Sequence, residues 1–311
     1  MRWDDFRRSD NVEDRRDEGG GPAGGGFGLP GAGGLGIGTV IVLGLIGWAL
    51  GIDPRLLIGG AEVLTRPSQQ APYQNPSRTG GPHGPRAKGT PTDQTGQFVA
   101  AMLGDNEDRW KEIFQKSNRR FEAPKLVLFS GRTRSSCGGQ ALAAMGPFYC
   151  PADKKIYLDT SFFNLLSRRF GACTDNKTCQ FAEAYVIAHE FGHHVQNLLD
   201  ILPKAQQMQR SMGKVEANHL QVEVELQADC FAGVWANRAQ QRLKFLDPGD
   251  VATALRTASS IGDDTLQKES RGYVVPDAFT HGTSQQRMHW FKTGLEKGTV
   301  ESCNTFSAAR L

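Results

Sequence analysis

The strongest chemical signal in the chain is a run of five residues, His189-Glu190-Phe191-Gly192-His193. Positions i and i+4 of an α-helix share a face, so both imidazoles can reach one metal ion. Glu190 lies beside them, where a carboxylate can hold and deprotonate a water. Chance places this pattern in a chain of such length on the order of 1% of the time. The flanks add weight, because Val186, Ile187, Ala188, Val195 and Leu198 are apolar. Polar groups on such a helix are costly to bury without a partner.

A catalytic zinc ion takes three protein ligands and keeps one position open. A further histidine six residues after His193 would supply the third, but Leu199 stands there, and Gln196 replaces the glycine of that pattern. His194 points about 100° away from His193 and so faces elsewhere. The better third ligand is Glu225, in Glu225-Leu226-Gln227-Ala228-Asp229. One turn on, Asp229 can accept the N–H of a ligand histidine and fix its tautomer. Asp229 as the ligand itself is the alternative. Both acids sit in an apolar run from Val224 to Trp235, where two carboxylates need a reason.

These residues point to hydrolysis by one zinc ion. The ion acidifies its water and polarises a carbonyl, Glu190 serves as general base, and the oxyanion needs a donor. His281, in His281-Gly282-Thr283-Ser284, is the candidate donor. It reads equally as a buried hydrogen-bonding residue, and Tyr273 is a weaker alternative. Arg287 suits a structural pair with an acid near the site. A peptide is often held as an added strand, and Lys155–Asp159 is either that sheet edge or an ordinary core strand.

The elements that must position these groups are legible in part. Phe98, Met102, Trp110, Ile113 and Phe114 predict a helix over 95–118. Strands are expected at 125–130 and 156–159, and helices at 160–170, 178–199, 204–243, 250–261 and 284–296. The expectation is a helix-rich α+β, zincin-like domain with a small sheet, spanning residues 95–311.

The chain has 311 residues with 36 Lys+Arg against 33 Asp+Glu. That near-balance excludes a strongly basic nucleic-acid binder. Residues 1–18 mix charges without apolar periodicity and read, with the Gly-rich 19–34, as a cytoplasmic tail. Residues 35–52 carry no charge and are long enough for a transmembrane helix. A cleaved signal peptide or a buried soluble helix are the other readings. Residues 53–94 are a Pro/Gly-rich linker.

All six cysteines lie C-terminal to that segment, which suggests an oxidising, periplasmic or extracellular side for the domain. Spacing suggests pairs Cys173–Cys179, Cys137–Cys150 and Cys230–Cys303, with Cys230 as a buried free thiol the alternative.

The motifs FYCPADKKIYLD, AHEFGHHVQ, ELQADCFAGVW and HGTSQQR resemble the bacterial neutral zinc metallopeptidases, which are anchored by one N-terminal span. More remotely, the order HExxH, ExxxD and a late His before an Arg is similar to gluzincin-type membrane peptidases. The resemblance implies His189, His193 and Glu225 as zinc ligands, Glu190 as base and His281 at the transition state. It departs in Gly282, where the remote relatives carry Pro. The function expected is a membrane-anchored zinc endopeptidase acting on peptide or protein. A non-catalytic envelope module that binds peptides is the alternative. Oligomeric state is left open.

Overall fold

The computed structural model describes residues 1–20, 91–142, 146–169 and 176–307. The expected transmembrane helix at 35–52 lies outside the described residues, as does the linker as far as residue 90. Among the described residues no helix is long and apolar enough to cross a membrane.

The architecture is helix-rich α+β with a small sheet. Helix α1 (Gln94–Lys116) starts on Asp93, whose carboxylate accepts the N–H of Gly96. Its Phe98–Leu103 stretch and Trp110 are buried in the core. The four-stranded sheet has the order β1 (Val12–Asp14), β2 (Lys125–Phe129), β6 (Lys155–Asp159), β5 (Phe148–Cys150). β1, β2 and β6 run parallel, and β5 is antiparallel to β6. A separate hairpin joins β3 (Arg132–Ser135) and β4 (Gly139–Leu142). β2 and β6 read as nearly continuous apolar runs, as strands covered on both faces do.

The possibility that Lys155–Asp159 is a substrate-binding edge is corrected by this order. β6 is interior, with β2 on one side and β5 folded back on the other. The edges are β1 and β5, and β5 packs on the helix carrying His189 and His193.

Helices α2 (Ser161–Arg169), α3 (Asn176–Leu198), α4 (Ile201–Gln209) and α5 (Lys214–Leu243) follow. The mostly helical stretch expected over 204–243 is two helices, with a break before Gly213, the N-cap residue of α5. α5 is buried all round from Val224 to Ala236, the mark of a central helix. α6 (Asp250–Ser260), α7 (Asp263–Arg271) and α8 (Ser284–Lys297) close the domain. α8 opens with a reciprocal capping box between Thr283 and Gln286. Glycines let α5 and α8 touch backbone to backbone. A Cβ on Gly294 would lie 1.9 Å from the carbonyl oxygen of Cys230, and one on Gly233 2.2 Å from that of Phe291.

Residues 1–18 are not a solvated tail. Met1, Trp3, Phe6 and Val12 are buried in the main core. Trp3 meets Phe98 edge-on at 5.4 Å between ring centroids. β1 adds a strand to the sheet, with Val12 opposite Leu126. The charges that suggested solvation are paired across the fold: Arg7 with Glu107 and Asp108, Lys155 with Glu13, Arg16 with Asp93. Large side chains in irregular backbone leave no period to detect.

Cys137–Cys150 and Cys230–Cys303 are disulfides, so Cys230 is not a free thiol. Cys179 is disulfide-bonded as well, whereas Cys173 lies outside the described residues.

Candidate metal centre

α3 and α5 bring the predicted ligands together. Gly192, between the two histidines, faces Ala228 of α5, and a Cβ there would lie 3.0 Å from the Ala228 oxygen. That close approach lets Glu225 reach both rings. Glu225 Oε2 is 3.2 Å from His189 Nε2 and 3.5 Å from His193 Nε2. One ligand atom from each of the three residues lies within 4.8 Å of the others. Tetrahedral zinc with bonds of about 2.05 Å separates its ligand atoms by about 3.3 Å, so the trio fits such an ion.

Each of these groups has a second contact. His189 Nδ1 donates to Asp229 Oδ1 at 2.8 Å. Asp229 also takes two bonds from Arg287, Nε to Oδ2 at 2.8 Å and Nη2 to Oδ1 at 2.9 Å, and one from the Tyr185 hydroxyl. His193 Nδ1 lies 2.9 Å from Gln196 Oε1. Gln221 Nε2 donates to Glu225 Oε1 at 2.8 Å, leaving Oε2 for the ion. Arg287 thus makes the structural pair expected of it, and Asp229 sits behind His189 as a hydrogen-bond acceptor.

Burial and charge oppose one another here. Burial alone would lower His189, but the Asp229 carboxylate and Glu225 outweigh it and lift it to about 10. Burial works against the Asp229 carboxylate too, yet Arg287 and His189 hold it well below the usual range. Glu190 is pushed up by burial, against the pull of His189 and His193. It is 7% exposed and makes no hydrogen bond or ion pair among the described residues.

His281 belongs to this neighbourhood, since its charge acts on both Glu190 and Glu225. Its Nδ1 lies 3.4 Å from Asp263 Oδ1 and 3.1 Å from Thr280 Oγ1. Asp263 Oδ2 also accepts the backbone N–H groups of Thr280, His281 and Gly282. Tyr273 is 61% exposed and makes no contact with the centre in the hydrogen bonds described. His194 turns away as expected. It lies 3.0 Å from the Tyr149 hydroxyl and 2.7 Å from the Glu122 carbonyl.

Residues 1–306 match the family described as "Putative neutral zinc metallopeptidase". The chain belongs to that family. Uncharacterized protein YpfJ of Escherichia coli strain K12 is 46% identical over 310 residues, covering 98% of this chain and 99% of the relative. Uncharacterized proteins Mb2605 of Mycobacterium bovis and Rv2575 of Mycobacterium tuberculosis are each 41% identical over 225 residues, covering 69% of this chain and 72% of theirs. No solved structure matches. The family implies zinc, and the His189, His193 and Glu225 cluster could hold a metal ion.

Sequence reasoning missed Gln196, Gln221, Tyr185, Gly192 and Asp263. The first three had a signal, since they lie three or four residues from His193, Glu225 and His189 on the same helices. Asp263 had none, because it meets His281 from another helix.

Proposed function

We propose that this chain is a zinc-dependent endopeptidase with one ion held by His189, His193 and Glu225. The observation that carries the reading is Glu190, a buried carboxylate beside those ligands with no hydrogen-bond partner among the described residues. A binding module needs no such group. When bound, zinc supplies Lewis-acid polarisation of the scissile carbonyl. Glu190 receives the proton of the attacking water, and its raised proton affinity suits both that step and delivery to the leaving amine. His281, oriented through Nδ1 by Asp263, presents its other nitrogen as donor to the oxyanion. The antiparallel edge of β5 offers backbone groups to an extended peptide.

The uncharged segment at 35–52 supports membrane attachment. The disulfides support an oxidising compartment. Residues 1–18 and the domain would then occupy the same side, with the segment entering the membrane without carrying the chain across once.

The test is zinc content and cleavage of a broad peptide library by the full chain and by Glu190→Gln. The wild type should cleave, and the variant should keep one zinc while losing about 10²–10⁴-fold in rate. If both bind zinc and are equally inert, the peptide-binding module replaces the enzyme.

A further inference from the structure

A buried chain of amides leads away from His193. Gln196 Oε1 faces His193 Nδ1 at 2.9 Å, while its Nε2 donates to the Val224 carbonyl at 2.8 Å and to Gln227 Oε1 at 3.0 Å. Gln227 Nε2 in turn donates to the Cys303 carbonyl at 2.9 Å. Gln196 is fully buried, Gln227 is 5% exposed and Cys303 is fully buried. Cys303 is tied to α5 by its disulfide with Cys230.

The direction of this chain is set at its ends. A backbone carbonyl only accepts, so Val224 and Cys303 each demand the NH₂ end of a glutamine. Gln227 must therefore turn Oε1 toward Gln196, and Gln196 must turn Oε1 toward His193. An amide oxygen also only accepts, so His193 Nδ1 must carry the proton. In a neutral ring Nε2 is then left for a metal ion, and in the metal-free chain it faces Glu225 Oε2 at 3.5 Å. Were Gln196 flipped, its NH₂ would meet Nδ1, and the proton would move to the nitrogen that binds metal.

We infer that Gln196 and Gln227 are positioning residues that set the tautomer and ring orientation of His193, with the Val224 and Cys303 carbonyls fixing their sense. His189 Nδ1 donates instead to the Asp229 carboxylate, which can only accept. The two imidazoles are thus prepared by different devices, a charged one and a neutral one. A neutral amide adds no second negative charge to a centre that already holds Glu190, Glu225 and Asp229. The inference rests on the zinc reading for its purpose, but the tautomer itself belongs to the protein alone.

Long-range ¹⁵N–¹H spectra of the metal-free full chain, recorded at a pH where the His193 ring is neutral, read its tautomer directly. Wild type should show Nδ1–H. Gln196→Met, similar in shape and unable to accept the bond, should lose that preference while His189 keeps its own. Gln227→Met should weaken the preference in part, and it serves if Gln196→Met fails to fold. Zinc affinity, from competition with a chromophoric chelator, should fall 10–100-fold in Gln196→Met. An unchanged His193 tautomer in both Met variants overturns the inference. A tautomer that responds as expected in a chain that binds no zinc upholds it and sinks the zinc reading instead.

Discussion

Glu190 and His194 are four residues apart on one helix and show how environment assigns roles. Glu190 keeps a carboxylate with no hydrogen-bond partner among the described residues, and burial raises its proton affinity. His194 is locked as a neutral ring: its Nε2–H donates to the Glu122 carbonyl, and its Nδ1 accepts from the Tyr149 hydroxyl. Burial pushes its pKa down from 6.5 to about 4. A depressed folded value favours the folded state fully above pH 6.5, and that contribution is lost as the pH falls to about 4. Chemical denaturation across this window should show stability falling by up to about 3 kcal/mol from this group. His194→Gln should flatten that part of the profile, and an equally steep profile in the variant would reject the assignment. The sequence already showed that His194 faces away from its neighbour. Which atoms would receive it was invisible, because Tyr149 and Glu122 come from the β5 end and from the segment after α1.

At the scale of elements, α3 and α5 make the site and α8 secures it. Their close crossing depends on residues without side chains at two levels. Gly192 sets the distance between the histidines and Glu225, and the Gly233–Gly294 contact sets α8, which delivers Arg287 to Asp229. Gly192→Ala places a Cβ 3.0 Å from the Ala228 oxygen, so α3 and α5 must part by a few tenths of an ångström. Zinc affinity by chelator competition should fall about tenfold, in the manner of lost support for a ligand, with the far-ultraviolet spectrum intact. Gly294→Ala, at 1.9 Å from a backbone oxygen, should cost about 1–3 kcal/mol or more in stability through overpacking. If Gly192→Ala binds zinc as wild type does, the crossing is not what holds the ligand spacing. Helix periodicity showed α1, α3 and most of α5 within a few residues of their bounds. β1, β5, the β3–β4 hairpin and α7 escaped it. Short strands carry little periodic signal, and α7 is a polar helix that makes few apolar contacts.

At the scale of the whole molecule, the N-terminal segment changes the topology. Residues 1–18 supply an edge strand and four core side chains, and Arg16 pairs with Asp93 at the start of α1. The chain that leaves the domain after residue 20 therefore comes back to it at 91. No uncharged run between 53 and 90 is long enough for a return crossing, so the proposal that residues 1–18 and the domain share one side of the membrane can be tested directly. Single cysteines at exposed Asp5 and Lys268 report the result in sealed, right-side-out membrane vesicles. An impermeant maleimide should label both or neither, and labelling of one alone would show that the N-terminal segment is not docked in the membrane-bound protein.

The sequence by itself determined which polar groups share a helix face. His189, Glu190 and His193 share a helical face wherever that helix lies, and Glu225 with Asp229 does the same, because helical geometry is local. It also located the Arg287 pair and two disulfides in outline. Tertiary structure decided everything that rests on contact between elements. The distance between the histidines and Glu225 depends on two helices meeting at Gly192. The tautomer of His193 depends on carbonyls of Val224 and Cys303, and the site of His281 on Asp263 of α7. The place of residues 1–18 depends on partners about a hundred positions away. Such contacts form through shape and burial, which leave no period in the chain.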